Sequence, residues 1–148
     1  MKRILKRRVL IPVFIIVFGL IQFKTIDKVN MVVPAEFGIL TIETPPKEVG
    51  ELISAACFDC HSNTTKYPWY SNIAPVSWWM KKHVEKGREK LNFSKWSDYS
   101  EEKRDSLRLK SAELIEKKWM PIISYKIIHP EAQLDEDQRE LLISWMKK

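Results

Sequence analysis

Only two cysteines and four glycines occur among the 148 residues, and the first 24 residues contain no acid. Each scarcity excludes something. Cys57 and Cys60 lie three positions apart and cannot cross-link distant elements, so the chain is no disulfide scaffold. Little glycine, with Glu, Lys and Leu common, favours helices over a turn-rich β architecture. The missing N-terminal acid accounts for the whole net charge of +6. Lys2, Arg3, Lys6, Arg7, Arg8 and Lys24 stand uncompensated, whereas residues 25–148 carry 19 bases against 19 acids. A nucleic-acid binder concentrates basic charge on its folded part, so no nucleic-acid partner is expected. Neither an internal repeat nor a low-complexity tract is visible.

The apolar run Val9–Phe23, VLIPVFIIVFGLIQF, follows the basic flank and is interrupted only by Gln22. Its 15 residues reach ~22 Å as a helix, short of a ~30 Å hydrocarbon core. Ile4 and Leu5 extend it, and flanking Lys and Arg side chains can snorkel. A signal peptide has an apolar run of this length, but no small-x-small cleavage site follows. The reading is therefore an uncleaved single-pass anchor in a bacterial inner membrane, with residues 1–24 as cytoplasmic flank and transmembrane helix. Residues 25–46, punctuated by Pro34, Pro45 and Pro46, read as a linker with a short extended piece near 37–42. Residues 47–148 form the periplasmic domain.

Helical periodicity starts at Lys47. Val49, Leu52, Ile53 and Ala56 make one apolar face that runs into Cys57. Residues 62–72 read as a loop. A second helix starts at Ile73-Ala74-Pro75 and runs towards Leu91, and a third follows Ser100-Glu101-Glu102 as far as Lys118. Pro121 prevents its continuation. Asp135 with Gln138 marks the start of a final helix as a capping box.

Both cysteines belong to Cys57-Phe58-Asp59-Cys60-His61. C-x-x-C-H is the attachment sequence of c-type haem. Residues at i and i+3 project from one side of a helical turn, so two thiols reach two vinyl groups of one porphyrin edge, and His61 supplies the proximal axial ligand. A redox dithiol would need a preceding strand within a βαβ unit. A zinc site would need a second ligand pair close by, and only His83 and His129 remain. The bland alternative is a chance occurrence in a structural helix. Met120, before Pro121 and 59 residues after His61, is the first candidate for the distal ligand; its bland reading is a gap-filling core residue. His83 is the second candidate, with a partly exposed helix histidine as the alternative. His129 is read as ordering its loop, Met80 and Met146 as core. Trp69, Trp78, Trp79, Trp119 and Tyr125 suit a haem wall or ordinary core, and Tyr125 and Arg88 can bond haem propionates, surface exposure being the plainer reading of Arg88.

The run CFDCHSNTTKYPWYSNIAPVSWWMKKHVEKGREKLNFSKW, then Met120-Pro121, a tyrosine four residues after that proline, and HPEAQL, resembles the bacterial haem-binding domain family, small cytochrome-c-like domains common in Bacteroidetes. The resemblance covers about residues 47–147. It implies an all-α, cytochrome-c-like domain around one covalent haem c per chain. Cys57 and Cys60 match the thioether positions, His61 the proximal ligand and Met120 the distal one. The function expected is electron transfer to redox partner proteins, not enzymatic catalysis. The rivals are a haem-based gas sensor or peroxidase-like enzyme with a displaceable distal ligand, the peroxidase-like case calling on His83 and Arg88, a haem-bearing module of a larger complex, and an anchored helical domain without haem.

Overall fold

The structure is a computed structural model that describes residues 2–148, with the backbone alone for residues 2–7. Among the described residues every regular element is an α-helix or a 3-10 turn, so the expected all-α class stands. Residues up to Val29 together with Tyr67–His83 form one compact unit; Asn30–Lys66 with Val84–Lys148 form another.

In the first unit, α1 spans Lys2–Ile21. The expectation of a transmembrane helix fails here: among the described residues no helix is long and apolar enough to cross a membrane. The physical reason is length. The helix begins in the basic flank, whose side chains 1–7 lie outside the described residues, and the uncharged part, Val9 to Ile21, covers only ~20 Å. Polar contacts then take over at the residues meant to finish the span. Gln22 Nε2 donates to the Ala74 carbonyl at 3.1 Å, and Gln22 Oε1 accepts the Ala74 N–H at 2.9 Å. Trp78 Nε1 donates to the Lys24 carbonyl at 2.7 Å, and Lys28 Nζ bonds Asn72 Oδ1. The single-pass inner-membrane placement and the periplasmic location rested on that span and fall with it.

In the second unit, residues 35–42 depart from the expected linker. They form a 3-10 turn, Ala35–Phe37, and the helical turn α2, Ile39–Ile42, whose Ile39 is fully buried in the core. Complete burial of such a side chain stabilises by about 1.5–3 kcal/mol, which outweighs the weak extended preference read from the local sequence. Helix α3, Lys47–Ala56, buries Val49, Ile53 and Ala56, the predicted face. The chain breaks at Cys57 and resumes as the single turn α4, Phe58–His61. Helix α5, Val76–Lys90, carries residues of both units. A 3-10 stretch, Phe93–Asp98, then buries Phe93 and Trp96.

Helix α6, Glu101–Glu116, starts at Ser100, whose hydroxyl accepts the Lys103 N–H. It stops two residues before the expected Lys118, which takes a left-handed φ of 58°. That reversal lets the N–H groups of Trp119 and Met120 both reach the Leu114 carbonyl, at 3.0 and 3.2 Å, a helix stop of the left-handed kind. The short helix α7, Ile123–Lys126, follows. The capping box at Asp135 and Gln138 is present and opens α8, Glu136–Met146, which packs against α6 and α3. Ala112, Ile115, Leu142, Trp145 and Met146 fill that side of the core.

Candidate functional site

Cys57, Cys60 and His61 come together because α3 runs into α4 with one break. The Cys57 N–H still bonds the Ile53 carbonyl at 3.0 Å, and the Cys57 carbonyl accepts from His61 N at 2.9 Å and Cys60 N at 3.2 Å. Both thiols are free and half-buried. Burial, then the neighbouring Cys60, pushes the Cys57 thiol up to about 12. Cys60 rises to about 11, chiefly through burial and the Asp59 charge, with Arg88 opposing. Reactive dithiols need depressed values, and no strand precedes the motif among the described residues. The redox-dithiol reading therefore finds no footing in this geometry. Nor do three or more His, Cys, Asp or Glu side chains converge as a metal site among the described residues.

The histidine is held from one side. His61 Nδ1 lies 3.1 Å from the Gly87 carbonyl and 3.1 Å from the Leu91 carbonyl. Both partners only accept, so Nδ1 carries the proton and Nε2 keeps its lone pair. Burial lowers the His61 pKa, the two carbonyl bonds acting against it, so the neutral ring is favoured. The Phe93 ring meets the imidazole edge-on at 6.3 Å.

These carbonyls are close because α5 approaches the turn at a glycine. A Cβ on Gly87 would stand 2.4 Å from the Cys60 carbonyl oxygen and 3.3 Å from Cys60 Cβ. Any larger residue would push the helix off the turn. Next to it, Arg88 donates through Nε to the Ser62 carbonyl and through Nη2 to Asn30 Oδ1 and Thr65 Oγ1, each at 2.8 Å. Asn92 Nδ2 donates to Asn63 Oδ1 at 2.9 Å, while Asn63 Nδ2 is buried with no protein partner among the described residues.

Asp59, between the cysteines, is a hub. Its Oδ1 accepts the Lys66 N–H at 2.9 Å and its Oδ2 the Tyr125 hydroxyl at 2.7 Å. Burial and the Asp59 bond hold the Tyr125 hydroxyl well above its usual pKa, so it stays a donor. Met120 is half-buried. Trp79 and His83 form a pair of their own in the first unit, with rings 4.0 Å apart and His83 Nδ1 at 2.8 Å from the Trp79 carbonyl. Trp69 and Trp119 are exposed, whereas Met80 and Met146 are buried.

Gly87, the Leu91 carbonyl and Asp59 were not singled out from sequence. A lone glycine inside a strongly helical segment was the available signal for the first; main-chain acceptors leave none. The residues present suit a haem. Two free thiols share a turn with an imidazole whose outer nitrogen is committed and whose inner one is not, the usual support of a ligating histidine.

A search of curated proteins and one of solved structures each returned no match. The haem-binding domain family matches residues 16–148, which include every residue of the turn and its supports, and the chain belongs to that family.

Proposed function

We propose that this haem-binding domain attaches one haem covalently through Cys57 and Cys60, takes His61 as the proximal ligand and Met120 as the distal one, and works as a one-electron carrier between redox partner proteins. The observation that carries the reading is the pair of 3.1 Å contacts from His61 Nδ1 to the Gly87 and Leu91 carbonyls. They orient the ring, fix its tautomer and raise the basicity of Nε2. Attachment consumes no oxidant. Each thiol adds across a vinyl double bond, its sulfur bonding one carbon and its hydrogen passing to the other. Haem, once bound, supplies a one-electron ferric/ferrous couple whose potential follows its axial ligands and burial. A thioether such as Met120 favours the reduced state, which suits a carrier.

The peroxidase-like alternative needs a helper arginine free to reach a distal ligand, and the Arg88 guanidinium is spent on Ser62, Asn30 and Thr65.

The test is a pyridine haemochrome spectrum of protein produced with a cytochrome c maturation system. A thioether-linked signature that disappears in Cys57→Ala/Cys60→Ala supports attachment; extractable haem in the unaltered chain refutes it. Met120→Ala should abolish the methionine–iron charge-transfer band and His83→Ala should leave it. The reverse pattern would remove Met120 as ligand.

A further inference from the structure

Helix α7 poses a problem of support. It has four residues, none of them buried, and Ile123, Ile127 and Ile128 are 74%, 72% and 54% exposed. A single helical turn is not stable by itself, and within this one Tyr125 is the side chain that packs against the hydrophobic core. Yet it lies on the segment that begins with Met120. Two polar side-chain contacts anchor it. Gln133 Nε2 donates to the Lys126 carbonyl at 3.0 Å, a local link. Tyr125 donates its hydroxyl to Asp59 Oδ2 at 2.7 Å across 66 residues of sequence. Asp59 is itself immobilised: its other carboxylate oxygen takes the Lys66 N–H, and its carbonyl accepts from Thr65 Oγ1 at 2.6 Å. On the far side, the Tyr125 ring stacks on His129 at 4.2 Å, and His129 Nδ1 meets Glu131 Oε1 at 2.7 Å.

We propose that Tyr125 is a positioning residue: through Asp59 it ties the Met120–His129 segment to the Cys57–His61 turn and so determines how firmly Met120 is held as a ligand. This rests on the reading of Met120 given above. It differs from the sequence expectation that Tyr125 addresses a haem propionate, because its one proton is already donated to Asp59. A carboxylate acceptor makes the bond one of the stronger kind.

The test compares haem-loaded protein with Tyr125→Phe, which keeps the ring on His129, with Asp59→Asn, which keeps one acceptor oxygen, and with the double variant. All four should give the same haemochrome spectrum. Carbon monoxide binding to ferrous Tyr125→Phe should accelerate about tenfold or more, as expected for the loss of one charge-assisted bond. The urea midpoint for losing the methionine band should fall. Asp59→Asn should show a smaller change in the same direction, and the double variant should match Tyr125→Phe, since both substitutions break one bond. Hydrogen exchange of amides 122–129 should rise in Tyr125→Phe whichever residue ligates the iron. Additive effects, or carbon monoxide kinetics and exchange identical to the unaltered protein, would overturn the proposal. If the unaltered protein lacks the methionine band while exchange still responds to Tyr125→Phe, the tie stands and the assignment of Met120 fails.

Discussion

The second compact unit contains two regions built on different principles. Where α6 and α8 meet, apolar area does the holding: Ala112, Ile115 and Leu142 are buried among neighbours of similar chemistry, and Arg139 caps the buried Ile115 and Leu134 carbonyls at 3.1 Å each. Around Cys57–His61 the cement is polar and the clearances are small. Two carbonyls hold one imidazole, a glycine admits a helix to within contact of Cys60, and a carboxylate gathers a loop amide and a distant tyrosine. Area tolerates substitution in proportion to volume lost. A close polar fit loses its geometry when one atom is added. Stability and haem attachment should therefore be separable by mutation.

Leu142→Ala should produce the largest loss of stability, about 3 kcal/mol for a fully buried leucine, read as a lower urea midpoint. The folded fraction should still carry haem at the unaltered stoichiometry. If haem attachment falls as well, the two regions are not separable. Gly87→Ala should cost less stability, about 2 kcal/mol for overpacking, yet it should reduce thioether-linked haem per folded chain, because the added carbon collides with the Cys60 carbonyl. Normal attachment in this variant would show that the turn yields more readily than its contacts suggest. Asp135→Ala removes the capping box of α8 and should cost about 1 kcal/mol, visible as faster amide exchange in its first turn, with an unchanged haem spectrum. That variant gauges what a local defect far from the turn does, against which the Gly87 result is read.

Where local chemistry decided structure, the residues announced it. The Asp135/Gln138 box, the Ser100 cap and the Val49–Ile53–Ala56 face were visible as patterns and are present as such. C-x-x-C-H identified its own turn. Tertiary context decided the remainder. Ile39 belongs to the core although its neighbours carry no helical period, and Lys118 reverses the chain in a left-handed conformation that no glycine flags. The apolar run 9–23 misled because composition reports hydrophobicity but not the polar commitments at its end, where Gln22 pairs with both backbone groups of Ala74. At the turn, the atoms that orient His61 are main-chain oxygens, and side-chain identity cannot name them. Tyr125 was legible as relevant, but its partner was not, since Asp59 lies 66 residues away.

The two carbonyls on His61 also bear on the order in which the protein is assembled. A histidine that rotates freely must surrender that freedom when a ligand arrives, and the surrender weakens binding. His61 has surrendered it during folding. On the reading proposed above, the folded chain would meet its cofactor with one iron ligand already aimed. Gly87 and Leu91 would set the orientation of His61, and Cys57 and Cys60 would hold the haem in the pose that follows from it.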